Sequence, residues 1–228
     1  MSKLDLSIVI PTLNESENLK SLIPEIKNIV YDKLNFEIII IDGVDIDEAT
    51  FKIAKENKVK YFNRSPNNDY GNAVRIGIQK SSGVSTLFMD GDYSHEPRFI
   101  LKLFELKNND IVIASRYVSG GKTDNLFFSE FLSKTLNLFY SVVLNLNLKD
   151  VSNSFKLYET YKLKKLKLVC NHFDIIEEII FKLKLNFKNL KIVEIPYHFK
   201  QRKYGKTKRN FFIVVAYLFS ILRLRFFK

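Results

Sequence analysis

The chain is poor in the residues that build covalent cross-links and soft metal sites. Its 228 residues include one cysteine, three histidines and no tryptophan. Because a disulfide needs two thiols, no intramolecular bridge can form, and a structural zinc site is not expected from so few sulfur and imidazole ligands. The single thiol, Cys170, is expected in the core or near the surface, and the composition suits a reducing compartment.

The sequence also lacks a secretory leader and a long apolar run. Residues 1–5 lead straight into a strand-like segment, which indicates a cytoplasmic protein. The apolar stretch at residues 211–222 has 12 residues, whereas a membrane-spanning helix needs about 20. Cations flank this stretch on both sides. We therefore expect residues 211–228 to form an apolar-basic helix that either lies in the membrane interface or packs against the protein.

Positive charge is concentrated toward the C-terminus, within a net charge of +11. Residues 1–155 hold 18 Lys or Arg against 20 Asp or Glu, a net charge of −2, whereas residues 156–228 hold 18 against 5, a net charge of +13. A basic region of this kind indicates an anionic partner, either nucleic acid or an anionic membrane surface, although a lysine-rich genome gives the same composition. No aromatic-basic motif typical of RNA recognition is present, so nucleic acid is not expected.

Short apolar segments alternate with segments of helical periodicity in the N-terminal half. Strands are predicted at 6–11, 36–41, 59–62, 86–89 and 110–114, and helices at 17–30, 48–57, 73–80 and 97–106. This alternation is typical of an α/β fold with a mostly parallel sheet and helices on both faces. Thr12 or Asn14 is predicted to cap the first helix. Farther along, helices are predicted at 126–146 and 175–185, a strand at 191–199 and a basic loop at 201–210.

Polar residues follow the ends of the predicted strands. They are the segment 11–15, Asp42, Arg64, the pair Asp90 and Asp92, and Arg116. Because the carboxyl ends of parallel strands meet at one edge of a sheet, these residues are expected to line one site. Two carboxylates one residue apart suit Mg²⁺ or Mn²⁺, which prefer carboxylates together with phosphate oxygens. A solvated Asp-Gly turn is the alternative for an isolated Asp-x-Asp.

Six segments in order carry a resemblance to a known family: LSIVIPTLNESEN, Asp42-Gly43, MDGDYSHEP, ASRYVSGG, VSNSFKLY and EIPYHFKQRKYGKTK. Together they resemble the inverting family 2 glycosyltransferases of the polyprenyl-phosphate (dolichyl-phosphate) mannose synthase type. The resemblance implies a GT-A type nucleotide-sugar-binding domain over residues 1–210, followed by the basic C-terminal extension. The nucleotide-sugar half is expected at about 1–115 and the acceptor half at about 116–210.

The resemblance also implies how a nucleotide-diphosphate sugar is held. The residues expected to bind this donor are Pro11, Thr12, Asn14, Glu15, Asp42, Arg64, Gly71, Asn72 and Asp90. Gly71 is expected to let the backbone approach the nucleotide closely. Asp90, Asp92 and Ser94 are expected to hold Mg²⁺ or Mn²⁺ on the diphosphate, where the metal stabilises the leaving group.

The acceptor implied by the resemblance is a lipid monophosphate, polyprenyl phosphate. Cations expected to bind its phosphate are Arg116, Lys134, Arg202 and Lys208, and the residues expected to act in catalysis are Asp92, Arg116 and Arg202. A glutamate on the helix after residue 173 is expected to face the site, with Glu178 fitting the spacing best and Glu177 next. A phosphate acceptor is already anionic and needs no general base, so positioning and charge neutralisation carry the reaction.

Two segments depart from the family pattern. Ile41 occupies the position of the first of two usual aspartates, and residues 151–156 read VSNSFK where the family usually has Thr-Ser-Gly-Phe-Arg. These departures leave the base and the sugar open, with mannose favoured and glucose possible. Two other functions remain: a non-catalytic membrane- or nucleic-acid-associated protein on a degenerate glycosyltransferase scaffold, or a transferase acting on a hydroxyl acceptor. The latter needs a general base such as Glu178, Glu177 or Asp174.

Overall fold

A seven-stranded sheet forms the centre of the computed structural model, which describes residues 4–201 and 220–226. The strands are β1 (Leu6–Pro11), β2 (Phe36–Asp42), β3 (Lys60–Asn63), β4 (Ser85–Phe88), β5 (Ile111–Ser115), β7 (Lys156–Glu159) and β8 (Ile192–Pro196). Their order across the sheet is β3-β2-β1-β4-β7-β5-β8. All neighbouring pairs are parallel except those of β7, which is antiparallel to both β4 and β5. Two shorter strands, β6 (Lys122–Thr123) and β9 (His198–Phe199), pair with each other in a separate parallel sheet.

Helices cover both faces of the central sheet. They are α1 (Ser16–Val30), α2 (Glu48–Glu56), α3 (Tyr70–Lys80), α4 (Phe99–Glu105), α5 (Phe127–Val143), α6 (Thr160–Lys164) and α7 (Ile175–Asn186). Alternate residues of β1 enter opposite cores, since Val9 packs with α3 and α7 while Ile8 and Ile10 pack with α1 and α4. This burial on both faces explains why the strands are continuous apolar runs. The expected mostly parallel sheet with helices on both faces is confirmed.

One local expectation was wrong, and one strand was not predicted. Glu15 rather than Thr12 or Asn14 occupies the position before α1, and it makes no side-chain cap. Asn14 has a positive φ of 59°, so the chain turns there before the helix begins. Strand β7 was not predicted, because a four-residue KLYE segment carries no clear alternation and its antiparallel pairing depends on neighbours that are distant in the sequence.

The described end of the C-terminal segment packs against the protein. Residues 220–226 are helical, and Ile221 and Leu224 are buried in the core that also contains α7. The Ser220 hydroxyl donates a hydrogen bond to Asp174. These contacts support packing, the second of the two expectations for 211–228, although residues 211–219, 227 and 228 lie outside the described part. Among the described residues, no helix is long and apolar enough to cross a bilayer.

Candidate active site

The carboxyl edge of the sheet gathers polar residues from five strands. Residues 11–15 follow β1, Asp42 ends β2, Arg64 follows β3, the 90–95 segment follows β4 and Arg116 follows β5. The parallel register of β1 with β2 and with β4 brings these strand ends side by side. The expected convergence at one edge is therefore what the topology produces.

A first group at this edge, the donor corner, consists of Thr12, Asp42, Tyr61 and Arg64. The Asp42 carboxylate accepts one hydrogen bond from Thr12 Oγ1 at 3.0 Å and another from the Tyr61 hydroxyl at 3.1 Å. Arg64 donates from Nη2 to the Thr12 carbonyl and from Nη1 to the Asn68 carbonyl. Burial, together with the Asp42 charge, raises the pKa of Tyr61 to about 12, so its hydroxyl remains protonated and a donor. The donor corner is thus a hydrogen-bonded group of buried and half-buried side chains at the carboxyl edge of the sheet.

Gly71 lies against the backbone of a distant segment. A Cβ added there comes within 2.3 Å of the Cys170 carbonyl oxygen and 2.8 Å of Asn171 Cα. The Gly71 amide also donates to the Asn171 carbonyl at 2.7 Å. The glycine therefore serves the close packing of α3 against the 170–171 backbone, and its approach to a nucleotide stays a prediction. Asn72 Nδ2 bonds the Asn67 side chain at 2.5 Å and so closes the 64–72 loop.

A second group, the acidic loop at residues 90–95, contains the two carboxylates of the Asp-x-Asp pair. The Asp92 carboxylate accepts hydrogen bonds from the backbone amide and the hydroxyl of Ser94, at 3.0 and 2.6 Å. Asp92 is buried, whereas the Asp90 side chain is 32% exposed. The Ser94 hydroxyl is thus engaged with Asp92, which indicates that it shapes the loop, and its role as a metal ligand stays a prediction.

The donor set of the acidic loop fits a hard divalent cation that shares its shell with phosphate. The described part of the chain contains no cluster of three or more His, Cys, Asp or Glu able to hold a metal. Two carboxylates at one strand end are what Mg²⁺ or Mn²⁺ uses when a diphosphate supplies further oxygens. The partly exposed Asp90 carboxylate is accessible to such an ion.

Arg116 lies in a third group, the buried charge cluster, formed with Asp150 and Lys156. Its Nε and Nη2 donate to the two oxygens of Asp150 at 2.8 and 2.7 Å, and Nη2 also reaches Ser152 Oγ. Burial disfavours the charge of Arg116, but Asp150 outweighs it and raises the Arg116 pKa. Since its guanidinium is buried and bidentate with a carboxylate, Arg116 has less capacity for direct phosphate contact than the sequence indicated.

Lys156 was not predicted as part of the site. Its Nζ donates to the Val151 carbonyl at 2.9 Å and to the Asn153 carbonyl, and the side chain is fully buried. Burial lowers the pKa of Lys156 to about 8. The lysine occupies the position of the usual family arginine, and its ammonium holds the 151–153 backbone in place. The sequence signal that could have indicated it was the lysine in the 151–156 segment, which departs from the family pattern.

The two candidate glutamates of α7 have different environments. Glu178, the preferred candidate, accepts hydrogen bonds from the amides of Val169 and Cys170 at 2.8 and 2.9 Å and pairs with Lys182. It therefore fixes the 169–170 backbone, and a role for Glu178 in the site stays a prediction. Glu177 is buried and its charge acts on both Arg116 and Lys156.

Of the other cations expected to bind the acceptor phosphate, Lys134 lies among the described residues. Lys134 is 55% exposed, pairs with Glu130 at 2.7 Å and lies 5.6 Å above the Tyr117 ring. Tyr117 in turn stacks against the Arg116 guanidinium at 4.8 Å, so Lys134 is at the rim of the same region. Arg202 and Lys208 lie outside the described residues, and their roles stay predictions.

Several known proteins are similar to this chain. The family model described as Glycosyl transferase family 2 matches residues 7–167. Dolichol-phosphate mannosyltransferase of Pyrococcus furiosus is 34% identical over 96% of this chain, which spans 63% of that relative. Undecaprenyl-phosphate mannosyltransferase of Micrococcus luteus is 28% identical over 94% of the chain and 91% of the relative. Polyprenol monophosphomannose synthase of Mycolicibacterium smegmatis is 27% identical over 89% and 80%, respectively.

Solved structures share the fold. Glucosyl-3-phosphoglycerate synthase of Mycobacterium tuberculosis, in complex with Mn²⁺, uridine diphosphate and phosphoglyceric acid, has a TM-score of 0.72 at 16% identity, over 97% of this chain and 77% of that one. The same enzyme with Mg²⁺ and uridine diphosphate has a TM-score of 0.70 at 16% identity, over 96% and 79%. At this identity the likeness shows the fold alone. The expected GT-A type α/β fold is confirmed.

Proposed function

Because the chain belongs to glycosyl transferase family 2 and is a glycosyltransferase, we propose that it transfers a hexose from a nucleotide-diphosphate sugar to polyprenyl phosphate with inversion at the anomeric carbon. Mannose is the favoured hexose and glucose the second. The observation that carries this proposal is the likeness to three relatives from different organisms. Each is named as a transferase or synthase that forms a mannosyl phosphate of a polyprenol-type lipid, and each aligns over 89–96% of this chain.

The donor corner and the acidic loop support the nucleotide-sugar part of the proposal. Arg64 and Asp42 brace Thr12 at the end of β1, which leaves the 11–15 segment as the wall of a nucleotide pocket. Asp90 and Asp92 are the residues that would hold Mg²⁺ or Mn²⁺. When bound, such an ion neutralises the charge that develops on the departing nucleoside diphosphate. The chain's own groups then orient the sugar and exclude water.

The buried charge cluster supports a pre-organised acceptor side. Arg116 is held rigidly by Asp150, and its guanidinium stacks with Tyr117 and Phe199, at 4.8 and 5.5 Å from the ring centroids. A lipid phosphate approaching this region meets the cationic side chains of Arg116 and Lys134. Since a phosphate oxygen attacks without a protein base, the burial of Glu177 and Glu178 is compatible with a phosphate acceptor and weighs against a hydroxyl acceptor.

Peripheral membrane contact belongs to the same proposal, but its best-supported position is α5. Leu126, Phe127, Phe128 and Phe131 at the start of α5 are 61–85% exposed. On the inner face of this helix, Asn137 donates to Ser152 Oγ, which also accepts from Arg116. The helix that carries this exposed apolar end therefore also contacts the proposed acceptor side, through Asn137 and through Lys134 above the Tyr117 ring. A helix with exposed aromatic residues and neighbouring cations suits a membrane interface at the cytoplasmic face.

Product analysis tests the proposal directly. The full chain is incubated with polyprenyl phosphate and Mg²⁺ or Mn²⁺, and is offered GDP-mannose in one reaction and UDP-glucose in another. We expect a mannosyl or glucosyl polyprenyl phosphate of inverted anomeric configuration, identified by mass spectrometry and NMR. Sugar transferred only to a hydroxyl acceptor, or no transfer with any metal, would overturn the proposal.

A further inference from the structure

Asp90 is held in place by the loop that precedes β7. Its backbone amide donates to His95 Nδ1 at 2.9 Å, and its carboxylate Oδ1 accepts from Ser154 Oγ at 3.0 Å. The Asp90 side chain nevertheless remains 32% exposed, so these contacts fix its direction without covering it. Both ends of the residue are thus anchored while the carboxylate can still reach a ligand.

His95 is itself locked. Because Nδ1 accepts a backbone hydrogen bond, the ring proton resides on Nε2, which donates to Asn153 Oδ1 at 3.2 Å. The ring stacks on Phe155 with centroids 4.6 Å apart and planes 9° from parallel. Asn153 Nδ2 donates to the Ala114 carbonyl at the end of β5. His95 therefore connects the acidic loop to the side chains of Asn153 and Phe155 as a neutral ring of fixed orientation.

Tyr70, at the start of α3, lies near the same loop. Burial raises the pKa of its phenol well above the ordinary value, and the charge of Asp90 raises it further, so the phenol stays protonated. The Tyr70 ring stacks on Phe173 at 4.3 Å, which joins α3 to the segment before α7. A hydrogen-bonding partner such as Ser154 fixes the orientation of a metal-binding carboxylate.

We propose that Ser154 is a positioning residue that orients the Asp90 carboxylate for a divalent cation, so that the 151–156 segment tunes the metal affinity of this chain. This inference rests on the proposed function. Groups that hydrogen-bond to metal-binding carboxylates commonly change metal affinity by about 10- to 100-fold.

Mn²⁺ binding to the full chain tests the inference. Free Mn²⁺ is measured by electron paramagnetic resonance, with and without GDP or UDP, for the unsubstituted chain and for Ser154→Ala, Ser154→Thr and Ser154→Val. We expect Ser154→Ala and Ser154→Val to weaken Mn²⁺ binding roughly tenfold, and Ser154→Thr, which keeps the hydroxyl, to retain most of the affinity. In transfer assays, Ser154→Ala should raise the Mn²⁺ concentration for half-maximal rate while the rate at saturating Mn²⁺ is largely restored.

Ser152→Ala is the matched control, since it removes a hydroxyl two residues away that bonds Arg116 and Asn137. It should leave Mn²⁺ affinity unchanged. Equal Mn²⁺ affinity in Ser154→Ala and the unsubstituted chain overturns the positioning role and leaves the proposed function intact. Loss of affinity in Ser152→Ala equal to that in Ser154→Ala also overturns it. Failure of the unsubstituted chain to bind Mn²⁺ with either nucleotide overturns the metal assignment itself. If Ser154→Ala fails to fold, the comparison of Ser154→Thr with the isosteric Ser154→Val decides in the same way.

Discussion

The proposed donor and acceptor sides of the site are built in different ways. On the donor side, Thr12, Asp42 and Arg64 come from the ends of three adjacent parallel strands and bond one another. On the acceptor side, Arg116 finds its partner 34 residues away in Asp150, and both are buried. The donor side is thus an outcome of sheet topology, whereas the acceptor side depends on a buried ion pair inserted beside an antiparallel strand. Removal of a single group should therefore lower mainly the stability on the acceptor side and mainly the activity on the donor side.

The largest effect is expected from breaking the buried charge cluster. Asp150→Ala leaves the Arg116 guanidinium buried without its carboxylate, which should lower the free energy of unfolding by about 3–5 kcal/mol. Urea denaturation followed by circular dichroism measures this loss. Glu130→Ala is the control, because it removes the partner of the exposed Lys134 and should cost less than about 1 kcal/mol. Equal losses in the two variants would contradict the difference between buried and exposed pairs.

A loss of activity with little loss of stability is expected on the donor side. Asp92→Asn should reduce metal-dependent transfer by roughly 10²–10³-fold, because a neutral amide is a poor ligand for a hard cation and stabilises less developing charge. Transfer rates at several Mn²⁺ concentrations and the unfolding midpoint are measured together. Full activity of the variant in chelator-treated, metal-free buffer would contradict the metal assignment.

The buried lysine predicts a pH dependence of stability in the acceptor half. Burial depresses the pKa of Lys156 from 10.5 to about 8, so between these values the unfolded chain binds more protons than the folded one. Stability contributed at this site should then rise with pH from about 8 to 10, by roughly 2 kcal/mol. The raised pKa values of buried Tyr158, Cys170 and Tyr197 oppose this rise over the same range. The rise is therefore measured by urea denaturation at several pH values as the difference in stability between the unsubstituted chain and Lys156→Met.

Glu37 is the contrasting group in the donor half. Burial raises its pKa, but hydrogen bonds from Lys60, Ser7 and Ser82 outweigh burial and hold the pKa below its ordinary 4.5. Its stabilisation is present above pH 4.5 and is lost as the pH falls through the depressed value. Glu37→Gln should therefore flatten the acid side of the stability profile and leave the range from 8 to 10 unchanged. Identical pH profiles for Lys156→Met and the unsubstituted chain would contradict the assignment for Lys156.

The smallest effect concerns membrane contact at α5. The double variant Phe127→Ser and Phe131→Ser should weaken binding to vesicles of phosphatidylglycerol and phosphatidylcholine by about tenfold, since partial burial of the two rings together is worth about 1–2 kcal/mol. Sedimentation with the vesicles measures binding. Tyr31→Ser is the matched control, because Tyr31 is 71% exposed and follows α1 at the opposite edge of the sheet. Unchanged sedimentation of the double variant would place the contact elsewhere.

Sequence patterns predicted the strand ends that carry the expected donor residues, because the information for strands is local. Each apolar run that ends in a polar residue, such as β2 ending at Asp42, becomes a strand whose end faces the site. Parallel pairing then aligns those strand ends at one edge of the sheet. The Asp-x-Asp pair after β4 was located on the same grounds. Arg116 was also predicted, but its partner was not, because nothing local connects residue 116 to residue 150.

Spacing alone could not predict the contacts of residues whose neighbours are distant in the sequence. Glu178 and Glu177 are adjacent on α7, yet one bonds the 169–170 backbone and the other approaches Arg116 and Lys156. Gly71 looked like a site of nucleotide approach, and the structure places the 170–171 backbone against it. In each case the deciding contact comes from a segment about 10 to 100 residues away, beyond any sequence periodicity.

The sequence by itself determined the fold class, the edge of the sheet where the site forms and the acidic loop, because strand and helix periodicity and strand-end chemistry are local properties. Tertiary structure alone decided the insertion of β7, the burial of Arg116 with Asp150 and Lys156, and the orientation of Asp90 by Ser154. These features require segments from both halves of the chain to meet in a low-dielectric interior. There a charged or polar side chain is retained only with a partner, and that partner is defined by packing and not by sequence distance.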